Sequence, residues 1–154
     1  MEIIIKNENI LIDNEDLILI NSAKWTRKTN PVGQIYFRSK LGILHRIIMN
    51  CPKDMVVDHI NGNTLDNRKS NLRICTKLQN QYNQKKHRGN RHSKYKGVTF
   101  RKELKSKPWE AFIYANRNHK RLGYFKTEIE AAKAYNNAAQ ELYGQFAKLN
   151  DVND

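Results

Sequence analysis

A polar, basic segment in the middle of the chain is the feature that most limits how the chain can fold. Residues 84–94 read QKKHRGNRHSK and contain no apolar side chain. Such a segment has nothing to bury, so it predicts a linker or a phosphate-contacting arm. The 154 residues must then form small folded units on either side of it. We place a basic linker at 87–94, a small β-rich region at 1–44, a second unit at 45–86 and a last one at 95–150.

Positive charge is concentrated in the carboxyl-terminal part of the chain. Lys and Arg number 28 against 15 Asp and Glu, a formal net charge of +13. Residues 84–154 hold sixteen of the basic and seven of the acidic side chains, a net of +9. Because Lys and Arg release condensed counterions when they neutralise phosphates, this excess predicts a nucleic-acid partner. A cationic membrane-surface protein would need a basic amphipathic helix or a lipidation motif, and the sequence shows neither.

Apolar runs and cysteines argue against other classes of protein. The longest apolar runs, such as residues 3–5 and 17–20, are too short to cross a bilayer, and Glu2 and Lys6 interrupt any signal-peptide core. Cys51 and Cys75 stand 24 positions apart without a CxxC pair, which disfavours a zinc knuckle and a disulfide framework. We therefore expect an intracellular protein with reduced thiols, no membrane partner and no small-molecule substrate.

Local patterns predict an α+β fold. Two apolar runs within residues 2–20, separated by the polar residues 13–16, predict strands joined by an acidic turn. With Trp25 and the pair at 36–37 they would form a β-rich cap whose simplest role is to support the next region. Residues 98–101, 109–114 and 119–125 predict a three-stranded antiparallel sheet. Thr127 and Glu130 form a capping box for one packed helix, which Gly144 ends and whose apolar stripe comprises Ala131, Tyr135, Ala138 and Leu142.

The polar residues around two short strands at 56–59 and 72–75 carry the candidate chemistry. Asp58 and His59 end the first strand, Asn71 opens the second, and Asn80 falls in the first turn of a helix that Thr76 and Gln79 cap. The NGNTLDN turn between the strands predicts a β-hairpin followed by that helix. Asp58 and Asn80 can then converge on one ion, and oxygen ligands favour Mg²⁺, with Mn²⁺ as the alternative. Neutral His59 could take a proton from water that attacks phosphorus.

This segment also resembles a known family. The pattern LHR, DHINGN, NLR and QN is similar to that of the HNH endonucleases, especially those of phages and mobile introns. The resemblance implies a ββα-metal hairpin in which His59 is the general base, Asp58 and Asn80 bind the metal, and Asn71 holds the hairpin and orients the histidine. Asparagine at the third motif position is similar to the phage-intron nickases, and it disfavours zinc or nickel.

Four further residues of the segment have open roles. His45, in the LHR segment, is expected to have a structural role or to hydrogen-bond a residue of the metal site. Arg46, Arg68 and Arg73 either contact phosphate or lie solvated on the surface.

Strand alternation sorts the carboxyl-terminal sheet into two faces. One face packs under the helix and comprises Val98, Phe100, Trp109, Ala111, Ile113 and Leu122. The other mixes cations with aromatic rings, as a DNA groove requires, and comprises Lys96, Thr99, Arg101, Phe112, Tyr114, His119 and Arg121. The alternative is an ordinary solvated face. The exposed aromatic rings argue against that alternative.

The same region resembles the plant ethylene-response-factor (Apetala-type) DNA-binding domain over residues 93–150. The matching segments are YKGVTFR, PWEAFIYA, KRLGYFKTEIEAAKAYNNAAQELYG and KLN. The resemblance implies that the sheet enters the major groove of double-stranded DNA with the helix behind it. Several contact positions differ from the plant proteins, so the plant target sequence does not carry over.

Two functions remain open at this point. The first is a site-directed, homing-type DNA endonuclease of a phage or mobile element, acting in the cytoplasm of a bacterial host. As a monomer it would nick one strand, and as a homodimer it would cut both. The second is a DNA-binding transcriptional regulator whose hairpin survives only as a scaffold. The intact Asp58, His59, Asn71 and Asn80 favour the endonuclease.

Overall fold

A computed structural model describes residues 1–85, 92–115 and 118–152, the side chain of residue 115 excepted. Helices and strands occur in comparable amounts, 29% and 31%, which confirms the α+β class. The chain separates into two compact units, Met1–Gln81 and Tyr82–Asp154. Most of the expected linker at 87–94, and two of the residues expected to separate the last two strands, lie outside the described residues. No helix of the described chain is long and apolar enough to cross a membrane.

The first unit begins with a hairpin of β1 (Glu2–Ile5) and β2 (Glu8–Leu11). Lys6 and Asn7 turn it with φ angles of 53° and 64°, the left-handed conformation that a tight two-residue hairpin turn needs. The predicted strand at residues 17–20 is wrong, because these residues form the short helix α1 (Leu17–Asn21). In helical conformation Ile20 reaches the core while Ile18 stays 81% exposed, so the run is apolar without being buried throughout.

The rest of the first unit consists of small sheets and short helices. Strands β3 (Thr26–Thr29), β4 (Ile35–Ser39) and β5 (Gly42–Ile43) form an antiparallel sheet in that order, followed by α2 (Leu44–Ile48). The hairpin β6 (Val56–His59) and β7 (Leu72–Cys75) leads into α3 (Lys77–Asn83). One hydrophobic core joins the first hairpin, α1, β4, α2 and the β6–β7 hairpin: Ile10, Ile12, Ile20, Trp25, Phe37, Leu44, Ile48, Val57 and Leu72.

The second unit is a three-stranded sheet with one helix on it. Its strands are β8 (Val98–Phe100), β9 (Trp109–Ala115) and β10 (Asn118–Phe125), with β9 in the centre. The helix α4 (Glu128–Tyr143) starts at the predicted capping box of Thr127 and Glu130, and Gly144 follows its last residue with φ of 52°. The strand and helix predictions for this region are confirmed in type and order.

The helix buries Ala131 and Tyr135 of the predicted stripe and partly buries Ala138, but it leaves Leu142 exposed. Its buried residues are Ala131, Ala132, Tyr135, Ala139 and Tyr143. Leu142 is 47% exposed, because burial recurs every four residues from position 131 and passes it by. Phe100, expected under the helix, is 38% exposed and lies edge-on against Trp109. At Gly97, a Cβ atom would lie 2.0 Å from the Tyr135 ring, so only glycine lets the chain pass the helix this closely.

Candidate functional site

Strand β6 places a carboxylate and an imidazole side by side in the protein interior. Asp58 and His59 are 5% and 7% exposed, and in the β6–β7 register they lie opposite Arg73 and Leu72. Successive strand residues face opposite sides, so Asp58 meets the side chain of Arg73 while His59 turns toward the loop that joins the strands. The predicted hairpin thus presents its two chemical groups at one end of a strand.

Arg73 holds the carboxylate of Asp58. Its Nε and one terminal nitrogen donate to the same oxygen, Oδ2, at 2.8 and 2.6 Å. Both side chains are largely buried, with 13% of Arg73 and 6% of Asp58 exposed. Arg73 is therefore not a solvated surface residue, because its guanidinium is largely buried against an anionic partner.

His59 has a buried amide as its ring neighbour. Its Nε2 lies 3.4 Å from Oδ1 of Asn67, a residue only 2% exposed. If Nε2 carries the hydrogen and donates it to this oxygen, Nδ1 holds the lone pair that can accept a proton. Burial lowers the pKa of His59, and it outweighs the hydrogen bond with Asn67 and the charges of Asp58 and Asp66, which raise it. The ring is accordingly neutral near pH 7, the state in which a histidine can act as a base.

His45 packs edge-on against His59, with 5.1 Å between the ring centroids. Burial lowers the pKa of His45 to about 3, with smaller contributions from His59 and Arg46. At neutral pH the ring of His45 therefore carries no positive charge beside His59. The ring of His45 thus packs against His59 and supports it. A structural role was one of the two roles expected of His45.

Asn71 fastens the loop between the two strands. Its Oδ1 accepts from the backbone N–H of Asn61 at 3.0 Å, and its Nδ2 donates to the backbone oxygen of Asp66 at 2.8 Å. The Asn71 side chain hydrogen-bonds to the loop, whereas the amide at the ring of His59 belongs to Asn67. Sequence reasoning assigned both tasks to Asn71 and missed Asn67, which it treated only as a turn residue.

The amino-terminal hairpin supports this loop from the other side. The backbone N–H of Leu11 donates to the oxygen of Leu65 at 2.9 Å, and the N–H of Asn67 donates to the oxygen of Leu11 at 2.7 Å. Asp66 accepts two hydrogen bonds from Arg68, at 2.8 and 2.7 Å. Strand β2 therefore fixes the backbone of the residue that faces His59.

The predicted metal ligands fit a hard cation in their donor chemistry. Asn80 lies half-buried in the first turn of α3, which Thr76 and Gln79 cap reciprocally as predicted, at 3.1 and 2.9 Å. A carboxylate and an amide oxygen suit Mg²⁺ or Mn²⁺ rather than zinc. In the described part of the chain no three His, Cys, Asp or Glu side chains cluster as a metal site. A site built on Asp58 and Asn80 would contain a single carboxylate.

The other arginines with open roles are also engaged within the unit. Arg46 donates to the backbone oxygens of Met55 and Pro52 at 2.7 and 2.8 Å, and Arg68 pairs with Asp66. Arg46 is therefore not simply a solvated side chain, because it fastens the segment before β6.

A second group of polar residues lies on the outer face of the sheet in the second unit. Glu110 is 1% exposed, and its oxygens accept from Arg101 at 2.5 Å and from Arg121 at 3.1 Å. Burial raises the pKa of this carboxyl, but the two guanidinium groups outweigh burial and lower it. The arginines themselves remain 45% and 58% exposed, so the buried carboxylate fixes two solvent-facing cations. Sequence reasoning missed Glu110.

The predicted aromatic residues of this face form one cluster. His119 stacks on Phe112 at 4.9 Å and meets Tyr114 edge-on at 5.4 Å. Thr99 lies opposite Glu110 in the strand register. Lys96 does not join the cluster: its Nζ donates to the backbone oxygens of Tyr82 and Gln84, both at 2.7 Å, and burial lowers its pKa to about 8.

Comparisons with known proteins match the region of the β6–β7 hairpin to a known family. A family model described as HNH endonuclease matches residues 44–82. An uncharacterized HNH endonuclease of Acanthamoeba polyphaga mimivirus is 34% identical over 140 residues, which cover 87% of this chain and 70% of that protein. No solved structure matches the chain. The chain belongs to the HNH endonuclease family, and it is thus a phosphodiester hydrolase.

Proposed function

We propose that this protein is a divalent-metal-dependent endonuclease that cuts double-stranded DNA. The observation that carries the proposal is the pair of Asp58 and His59 at the end of β6, with the ring of His59 neutral and facing the buried amide of Asn67. Phosphodiester hydrolysis needs a base, a charge sink and a positioned strand. This hairpin supplies the base and an anionic ligand for the charge sink.

Each residue of the hairpin has a separate task in the proposed reaction. His59 accepts the proton of the attacking water, and Asn67 sets which ring nitrogen is available. Asp58 and Asn80 would hold the metal, Mg²⁺ with Mn²⁺ as a substitute, and the ion would stabilise negative charge on the phosphate. Asn71 keeps the loop in place through its bonds to Asn61 and Asp66.

The second unit would bind the DNA. Its sheet with one packed helix supports an Apetala-type docking mode, in which the outer face enters the major groove. Arg101 and Arg121, fixed by Glu110, would meet phosphates or guanine edges, and the ring cluster would meet apolar parts of the groove. We accordingly propose a nuclease domain at 45–86, a basic linker at 87–94 and a DNA-binding domain at 95–150, with 1–44 supporting the nuclease.

A single hairpin with one metal site favours nicking by a monomer, and a homodimer would be needed to cut both strands. A homing role would use the second unit to choose the site. The mimivirus relative supports a viral or mobile-element origin. It lends no support to the bacterial host expected from the sequence.

The ion pair of Arg73 and Asp58 favours one alternative. Arg73 already hydrogen-bonds to an oxygen of Asp58, the proposed metal ligand. This arrangement is also compatible with a DNA-binding regulator that no longer cuts. The two functions make opposite predictions for cleavage.

A plasmid assay separates them. Supercoiled DNA incubated with the protein and Mg²⁺ should become nicked, and either EDTA or His59→Ala should abolish the nicked circles. For DNA binding, Arg121→Ala should weaken affinity, whereas Lys120→Ala on the same strand serves as the matched control. Intact supercoiled DNA with Mg²⁺ and Mn²⁺, together with retained binding, would favour the regulator. Unchanged affinity after Arg121→Ala would refute the assigned DNA-binding face.

A further inference from the structure

The charges of the first unit are divided along the chain. Residues 1–16 carry five carboxylates and one lysine, whereas residues 17–53 carry seven Lys and Arg and no Asp or Glu. The nearly neutral total of residues 1–44 hides this division. A run of 37 residues without a carboxylate, in a chain that has 15 of them, leaves its cations without local partners.

The strand register places these cations on one face of the β3–β4–β5 sheet. Thr26 lies opposite Arg38, and Lys28 lies opposite Tyr36. Directly opposed residues of antiparallel strands share a face, and Phe37, on the other face, is 1% exposed in the core. The outer face therefore presents Lys28 and Arg38 with a half-buried tyrosine beside them.

Two more cations flank this face in sequence, at the end where β3 begins and β4 ends. Lys24 precedes β3 by two residues, and Lys40 follows β4 directly. All four cations are exposed, and none of them forms an ion pair within residues 1–85, 92–115 and 118–152. Arg27, on the core side of β3, pairs with Glu8 instead.

We propose that this outer face, defined by Lys24, Lys28, Arg38 and Lys40, is a second DNA-contacting surface that binds the phosphate backbone of the substrate. The proposal rests on the proposed function, since it gives the same duplex a contact on the nuclease unit. At about 3.3 Å per strand residue, Lys28 and the Thr26–Arg38 pair lie two residues apart, roughly 7 Å, the axial length of about two base pairs. Lysine and arginine with one tyrosine suit phosphate contacts, which position a duplex without reading its sequence.

The salt dependence of DNA binding tests the proposal. Affinity is measured for a duplex in EDTA, which prevents cleavage, over a series of salt concentrations. Each lost phosphate contact lowers the slope of log affinity against log salt by about 0.9, so Lys28→Gln with Arg38→Gln should lower it by about 1.8. At 0.1 M salt the affinity should fall by up to roughly 60-fold.

A control variant removes the same charge elsewhere. Lys6→Gln with Lys133→Gln loses two exposed cations outside this face and should keep the slope within about half a unit. Lys28→Arg with Arg38→Lys keeps the charge and should keep the wild-type slope. Circular dichroism of all variants checks that the sheet still folds.

The outcomes are distinct. A loss of slope in the double glutamine variant alone supports the second surface. Equal slopes in that variant and in the Lys6 and Lys133 control overturn it, while DNA binding by the second unit stands. A wild-type protein that binds anionic lipid vesicles but no duplex would overturn both this surface and the proposed function.

Discussion

Replacing Asn71 by alanine tests whether this residue braces the loop beside His59. The substitution removes two hydrogen bonds, at 3.0 and 2.8 Å, and leaves the N–H of Asn61 and the oxygen of Asp66 without these partners. Asn71 is 7% exposed, so water does not readily replace its amide. The oxygen of the buried Asp66 costs about 1–3 kcal/mol when it loses its partner, and the N–H of Asn61, an exposed residue, costs about 0.5–1.5 kcal/mol. We therefore expect the free energy of unfolding of the first unit to fall by about 1.5–4.5 kcal/mol, a large part of the usual 5–15 kcal/mol.

Urea denaturation followed by tryptophan fluorescence measures this change. A Trp109→Phe background leaves Trp25, buried in the core of the first unit, as the only tryptophan. The midpoint should shift with an unchanged m value, because the surface exposed on unfolding stays the same.

Asn63→Ala in the same loop is the matched control. Asn63 is exposed, and its side chain accepts one bond, from the N–H of Leu65 at 3.1 Å. It should cost about 0.5–1 kcal/mol. If Asn71→Ala destabilises the unit no more than this control does, the loop does not depend on Asn71 and the reasoning is refuted.

Two further predictions concern the buried charges of the site. Arg73→Gln leaves the Asp58 carboxylate without its guanidinium partner and should destabilise the protein by about 3–5 kcal/mol in EDTA. If Asp58 binds metal, Mg²⁺ should restore part of that lost stability. A melting temperature of the variant that does not change with Mg²⁺ would count against Asp58 as a metal ligand. Burial lowers the pKa of His45 from 6.5 to about 3. Between these pH values His45 binds a proton in the unfolded chain but not in the folded chain. Stability should therefore fall as the pH falls below 6.5, by up to about 2 kcal/mol at pH 5 from this residue. His45→Gln, which cannot gain that charge, should give a shallower pH dependence of unfolding in urea, and an unchanged slope would show that His45 is accessible to protons.

Sequence patterns spanning a few residues correctly predicted the elements that depend on short-range interactions, such as hairpin turns and helix caps. The hairpin of β6 and β7 follows from a turn-rich loop between two short strands, and both capping boxes follow from residue types three positions apart. The strand predicted at residues 17–20 was wrong because four apolar residues fit a strand and a helical turn equally well. Only the packing of Ile20 in the core distinguishes the two.

The missed residues of the site depend on contacts that are distant in sequence. Nothing near Asn67 shows that its amide, among several asparagines of the loop, faces His59. That choice is made by Leu11, whose backbone holds Asn67 from 56 positions away. Glu110 was missed for a similar reason: its partners, Arg101 and Arg121, come from neighbouring segments and bury a carboxylate that would otherwise be expected at the surface.

Net charge alone misjudges which cations can meet DNA, and the structure explains why. Arg46, Arg68 and Arg73 belong to the motif region, yet each already donates to backbone oxygens or to a carboxylate. Their exposure differs, however: Arg68 stays 43% exposed beside the buried Asp66, as Arg101 and Arg121 do beside Glu110, whereas Arg73 is only 13% exposed. Lys28 and Arg38 lie in a region whose net charge is only +1, but its ion-paired carboxylates pair with Arg27 and Lys69 instead of with these two residues. The cations available to a phosphate are therefore set by strand pairing and by which carboxylates are nearby, and the salt slopes of the Lys28 and Arg121 variants should report on them separately.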